Sequence, residues 1–261
     1  MSLLERIAPI VVRAGEILTE KMESGFSISK KGQIDLVTDA DRAVEQFLIN
    51  ELQSAFPAAS FCAEERGWLE NNASDAVWFI DPLDGTTNFA HGFPYFSISV
   101  ALAKKGETIA GVVYNPVSKE LFTAEKGSGA ALNGRPIAVS RIADLQDSLL
   151  VTGFPYDIKT SAADNMAQFA RVSKACQGVR RTGSAALDLC SVACGRLEGY
   201  WEQQLNAWDI SAGALIVQEA GGTVTDYHGN ALTHKSQSVL ATNGLIHQQL
   251  LAVLKGQSNA D

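Results

Sequence analysis

The run Trp78-Phe79-Ile80-Asp81-Pro82-Leu83-Asp84-Gly85-Thr86-Thr87-Asn88-Phe89 constrains this chain more than any other stretch. Its apolar opening reads as a buried strand that stops at two aspartates three positions apart. The small and hydroxyl residues that follow can open a helix. A strand end running into a helix start gathers carboxylates and unpaired backbone N–H groups at one point. Carboxylates collect hard divalent cations, and helix-start N–H groups collect phosphate. A phosphate held beside metal ions is what phosphate-ester hydrolysis needs.

Strand-like and helix-like segments interleave along the rest of the chain. Leu3, Leu4, Ile7, Ile10, Val11, Ala14, Ile17 and Leu18 recur at helical spacing and predict a first helix to about Met22. Gly25 and Gly32 bracket a loop, and Asp35 to Asp41 leads into a second helix, capped by Thr38 or Asp39 and ended by Pro57. Short strands are expected at 60–63, running into Glu64-Glu65, and at 77–80, running into Asp81. From Phe96 to Ala124 the pattern is that of an antiparallel meander. The later half reads as strand 148–152, helices within 162–176 and at 185–193, strand 197–201, a helix from Asp209 to Ala220, strands 223–225 and 239–241, and a C-terminal helix. Such interleaving predicts layered sheets covered by helices, an α/β (α+β) fold. No linker-like tract divides the chain, so one domain is expected over 1–261, with halves meeting near residue 145.

At 46% hydrophobic content over 261 residues the chain can bury a large core. Its net charge is −8 and its basic blocks reach only two residues, so it lacks the footprint of an autonomous nucleic-acid binder. An acidic protein that handles an anionic phosphate must offset its own repulsion locally, which points to bound cations. No apolar run approaches the ~20 residues of a membrane span. The N-terminal segment is interrupted by Glu5, Arg6, Arg13 and Glu16 and reads as an amphipathic helix rather than a leader. Cys62, Cys176, Cys190 and Cys194 form no C-x-x-C pair and the four histidines are scattered, so no zinc constellation is visible. The expected compartment is the cytoplasm.

Four acids stand at comparable places: Glu64 after one strand, Asp81 and Asp84 after another, Asp209 at a helix start. Singly, Asp209 reads equally as an N-cap, Asp84-Gly85 as a turn, and Glu64-Glu65 as solvated charge. Asp81 is different, because a carboxylate directly after Trp-Phe-Ile lies at the rim of a buried layer. Crowded carboxylates raise one another's pKa unless a cation neutralises them.

Glu64-Glu65, Trp78-x-Ile80-Asp81-Pro82-x-Asp84-Gly85-Thr86-x-Asn88-Phe89, Trp208-Asp209-Ile210-Ser211-Ala212-Gly213 and Glu219-Ala220-Gly221-Gly222 together resemble the signatures of the inositol monophosphatase family, through nearly the whole chain and in the expected order. The family's usual Gly-Glu-Glu is Ala63-Glu64-Glu65 here. The resemblance implies an αβαβα sandwich, commonly a homodimer, and a lithium-sensitive, magnesium-dependent phosphomonoesterase. It also implies that Glu64, Asp81, the Leu83 carbonyl, Asp84 and Asp209 hold two or three Mg²⁺. Gly85, Thr86 and Thr87 then meet the phosphate. Catalysis is implied to fall to Glu64 and Thr86 orienting a water, with Asp41 accepting a hydrogen bond from Thr86. Gly183, Ser184, Ala185 and Glu202 are implied to contact the alcohol, with Asp209 near the departing oxygen.

A hydroxyl-rich ester such as myo-inositol 1-phosphate suits these groups. Relatives with similar metal motifs act on histidinol phosphate, fructose 1,6-bisphosphate or adenosine bisphosphates, and the chain shows no basic cluster for a second phosphate. Arg180-Arg181-Thr182-Gly183-Ser184-Ala185-Ala186-Leu187-Asp188-Leu189 also resembles bacterial members, one of which joins transcription antitermination complexes. An interaction role with transcription proteins is therefore the alternative from another class.

Overall fold

The computed structural model describes residues 2–30, 36–71 and 74–257; Gly32 and Asp35 lie outside them. Helix α1 (Leu3–Ser24) opens on a capping box, with Ser2 Oγ accepting the Glu5 N–H and the Glu5 carboxylate accepting the Ser2 N–H. It outruns the expected Met22 by two residues. A hairpin of β1 (Ile28–Lys30) and β2 (Leu36–Thr38) delivers the chain to α2 (Asp39–Ala55). Thr38 is its cap, and Asp41 closes the box by accepting the Thr38 N–H at 2.8 Å.

Next come β3 (Ser60–Ala63), β4 (Gly67–Leu69), β5 (Ala76–Asp84), the short helix α3 (Thr86–Ala90), β6 (Ser97–Lys104), β7 (Glu107–Asn115), β8 (Glu120–Glu125), β9 (Ala130–Leu132) and β10 (Arg135–Pro136). Their strands form an eight-stranded sheet in the order β10-β9-β8-β7-β6-β5-β3-β4. The expected meander is β6–β7–β8, and β3 runs parallel to β5. Contrary to the sequence expectation, β5 does not stop at Ile80. It continues to Asp84 with a register slip against β6 between Asp81 and Asp84. Pro82 has no N–H for the ladder, so this break in pairing is where it fits.

The later chain supplies β11 (Leu149–Thr152), α4 (Met166–Val172), β12 (Gly178–Arg180), α5 (Ala185–Ala193), β13 (Gly199–Gln203), α6 (Ala207–Glu219), β14 (Thr223–Thr225), β15 (Ser238–Thr242) and α7 (His247–Leu254). A five-stranded sheet forms in the order β12-β11-β13-β15-β14. The strand expected at 197–201 is shifted to 199–203, which puts Glu202 inside it.

Strand alternation sorts the core into layers. Trp78 and Ile80 of β5 face α1 and α2, while Phe79 between them faces α5 and α6. In β13, Tyr200 joins that middle core and Trp201 the outer one beneath α7. The layers therefore run α1/α2, large sheet, α5/α6, small sheet, α4/α7, which is the αβαβα sandwich expected. Helices in the middle must bury both faces, so they are apolar all round. All nine residues of α5 are buried, and nine of the thirteen in α6. The outer α1 buries one stripe: Ile7, Ile10, Val11, Ala14, Gly15 and Leu18. Gly213 permits the close approach of α6 to α5, since a Cβ there would lie 2.6 Å from Leu189. Among the described residues, no helix is long and apolar enough to cross a membrane.

Candidate active site

The acids meet where β5 ends. Ala63 pairs with Ile80, and the Glu64 N–H donates to the Ile80 carbonyl at 3.1 Å, so the parallel pairing sets Glu64 beside Asp81. Asp81 pairs with Ser99 of β6, whose Oγ donates to the Trp208 carbonyl at 3.3 Å and ties down the start of α6. Asp209 is the third residue of that helix. Its carboxylate accepts the Asn206 N–H at 2.6 Å, so Asn206 is the N-cap and Asp209 closes the box. Asp84 reaches the other middle helix, accepting from Ser184 Oγ (2.5 Å), Ala186 N–H (2.8 Å) and Ala185 N–H (3.2 Å) at the start of α5. Glu64, Asp81, Leu83, Asp84 and Asp209 all line one cavity.

Burial and crowding act on these carboxyls in the same direction. Asp81 is raised well above the ordinary carboxylate range, first by burial and then by the charges of Glu64, Asp84 and Asp209. Asp209 is raised for the same leading reason, against the opposing Asn206 hydrogen bond. Asp84 is pushed to about 6 by burial, which outweighs its bonds from Ser184, Ala186 and Ala185. Among the described residues on the cavity wall, Arg181 alone is cationic. The acids surround a space rather than close on a point: no three described His, Cys, Asp or Glu side chains stand at the spacing of a finished metal cluster. Asp81 Oδ1 is turned to the Leu83 N–H at 3.0 Å, as Asp84 and Asp209 are to theirs.

Beside the acids, Thr86 Oγ1 lies 3.1 Å from Asp41 Oδ1 and 3.0 Å from the Leu83 carbonyl. Its single proton serves one of these acceptors, leaving oxygen lone pairs to accept a bond from a third group. Asp41 is fully buried and raised chiefly by burial, against the opposing Thr38 bonds. Gly85 caps α3 with φ +97°, where a Cβ would also press on the Gly183 carbonyl at 3.1 Å. Asn88 Nδ2 donates to the carbonyls of Tyr95 (2.6 Å) and Thr182 (2.8 Å), joining α3 to the segment ahead of α5.

The same cavity is lined by Gly183, Ser184, Ala185 and Glu202, the middle two bonded to Asp84. Ser184 caps α5, with Oγ accepting the Leu187 N–H at 3.4 Å. Glu202 is buried rather than an exposed strand end, and its Oε2 accepts from Tyr200 OH at 2.7 Å. Burial pushes its carboxyl up to about 7, against the Tyr200 bond.

Several supporting residues escaped the sequence reading. Glu45, buried on α2, accepts the Glu65 N–H at 2.8 Å and so steadies the strand end that bears Glu64. Asp188, buried on α5, accepts from Tyr95 OH at 3.0 Å and from Thr182 Oγ1, bracing the 182–185 segment. Both sit inside helices, and their partners come from other segments of the chain. Gly153, Phe154, Pro155 and Tyr156 line the cavity beyond β11, with no local pattern to announce it.

Comparisons with known proteins show the family of the chain. The model of the inositol monophosphatase family matches residues 3–258. A Synechocystis protein named inositol-1-monophosphatase is 46% identical over 252 residues, covering 96% of this chain and 88% of its own length. Escherichia coli Nus factor SuhB is 40% identical over 247 residues, covering 94% and 92%. The solved inositol monophosphatase from Anabaena (Nostoc) superposes with a TM-score of 0.89 at 41% identity, covering 98% of this chain and 96% of that one. The match spans both sheets and every element that delivers a side chain to the cavity, and the chain belongs to the inositol monophosphatase family of phosphatases.

Proposed function

We propose that this phosphatase hydrolyses myo-inositol 1-phosphate or a similar polyol or sugar monophosphate, using Mg²⁺ held by Glu64, Asp81, the Leu83 carbonyl, Asp84 and Asp209. The observation that carries the reading is one cavity lined both by the cluster of buried acids and by a buried, hydrogen-bonded Glu202. The donor set fits a hard divalent cation, because it is all oxygen, with neither thiolate nor imidazole. It also fits because these acids are buried against one another, a repulsion that a cation relieves. When bound, magnesium supplies Lewis acidity at the phosphoryl group and a lowered pKa for the attacking water.

The chain's own groups do the rest. Thr86 Oγ1, aimed by Asp41, and the Glu64 carboxylate orient the water for in-line attack, with no phospho-enzyme. N–H groups of Gly85, Thr86 and Thr87 at the start of α3 have no partner within the helix and receive phosphate oxygens. Glu202 accepts hydrogen bonds from the alcohol's hydroxyls, Gly183, Ser184 and Ala185 close around it, and Asp209 stands by the departing ester oxygen. A lone Arg181 on the wall favours monophosphates over the bisphosphates that some relatives cleave.

Phosphate release from myo-inositol 1-phosphate, histidinol phosphate, fructose 1,6-bisphosphate and adenosine bisphosphate, with Mg²⁺ and with or without Li⁺, tests this. The highest kcat/KM is expected for the inositol ester, and a clear preference for a bisphosphate overturns the choice. The Nus factor name of the E. coli relative supports a second reading, in which the folded surface also binds transcription proteins. That role does not need the metal ligands, so partner capture should survive their substitution.

A further inference from the structure

We infer that Gly153 and Tyr200 are positioning residues that determine which alcohols the cavity accepts, by fixing where the Glu202 carboxylate sits. The inference deepens the polyol-phosphate reading and rests on it. Tyr200 and Glu202 are two apart on β13 and so project to the same face of the small sheet. Tyr200 is fully buried, and its hydroxyl proton goes to Glu202 Oε2 at 2.7 Å. That bond holds the carboxylate from one side and leaves Oε1 as the oxygen able to read a ligand hydroxyl.

Gly153 leaves the carboxylate its room by having no side chain. A Cβ there would lie 2.1 Å from Oε2 and 2.3 Å from both Oε1 and Cδ of Glu202. Gly153 is not among the glycines with positive φ, so its backbone does not require glycine; the space does. The atoms it would strike are the far end of a flexible side chain, so alanine there displaces the carboxylate at little cost to the fold. The glycine is itself locked in place. Asn165, fully buried, donates from Nδ2 to the Gly153 carbonyl at 2.7 Å and to Thr152 Oγ1 at 2.8 Å, and accepts from Trp201 Nε1 at 2.9 Å. Asn165 thereby ties the end of β11 to β13, one residue from Glu202, so that glycine and carboxylate keep a fixed relation.

The full-length enzyme with Mg²⁺ is assayed on myo-inositol 1-phosphate and on phenyl phosphate, whose alcohol has no further hydroxyls to read. Gly153→Ala and Tyr200→Phe should each lower the inositol-to-phenyl ratio of kcat/KM by about 10-fold or more, mainly through a higher KM for the inositol ester. Thermal unfolding checks the fold of both, and Tyr200→Phe, which removes one oxygen, carries the test if the alanine variant is unstable. A wild type that discriminates between the esters, with folded variants whose ratio is unchanged, overturns this inference alone. A wild type that does not discriminate overturns the functional reading and this inference with it. Equal losses on both esters in folded variants also overturn it, because they mark a structural role.

Discussion

Two groups of residues line the cavity and differ in how crowded they are. In the acidic group, Asp81, Asp84 and Asp209 are gathered from β5 and α6 against their own repulsion, and burial raises every one of them. In the other group, Glu202 accepts a tyrosine hydroxyl and packs against a bare glycine. Burial raises the carboxyls of both groups; the first crowds several charges together, and the second sets one carboxylate by a hydrogen bond and a gap. In the proposed function the first performs chemistry common to many phosphate esters, and the second chooses among alcohols.

The sharpest way to break this contrast is Asp81→Asn. It should cut kcat by ~10³-fold or more, while the metal-free protein melts at a higher temperature than wild type, because a crowded buried charge is gone. A fall in both activity and melting temperature would show that Asp81 serves the fold. A smaller effect is expected beneath it: Asp41→Asn, which weakens the aim of Thr86, should lower kcat by ~10–100-fold with KM little changed. A rise in KM alone would place Asp41 outside the catalytic step.

Glu202→Gln belongs to the other group and should act on substrate choice. A KM rise of about 10-fold for the inositol ester is expected, with a smaller change for phenyl phosphate. Equal changes for both would erase the distinction between the groups.

How much of this was legible in the sequence follows from where each signal lives. The abrupt halt of Trp78-Phe79-Ile80 at Asp81 marked where the acids stand, because an apolar run gives way to charge within one residue, although the strand itself runs on to Asp84. The slip that carries β5 on to Asp84 was not legible, since it depends on pairing with Ser97 and Ser99 of β6. Likewise Asp209 reads as a possible cap, yet Asn206 takes that place and α6 begins two residues earlier, at Ala207. The three-residue strands β4, β9 and β12 went unread, whereas β14, equally short, follows the Gly221-Gly222 helix stop that announces it. The resemblance named Glu202 as a substrate contact, but its burial was not legible, because its neighbours include Gly153, remote in sequence. Glu45 and Asp188 were hidden for the same reason: their hydrogen-bond partners are contributed by other segments.

The smallest expected effect is a pH signature. Glu202 is raised in the fold from 4.5 to about 7. A raised acid stabilises the fold fully below its unfolded pKa, and that contribution is lost as pH rises through the folded value. Wild type should therefore lose melting temperature relative to Glu202→Gln between about pH 4.5 and about pH 7. A constant difference across that window would mean that the carboxyl titrates normally and is not confined by its neighbours.

The most direct test of the central claim is anomalous diffraction from crystals soaked in Mn²⁺ as a stand-in for Mg²⁺. The account predicts anomalous peaks between Glu64, Asp81, Asp84 and Asp209, with Asp81 turned from the Leu83 N–H toward the ions. An empty cavity with those carboxylates still in their present hydrogen bonds would contradict it.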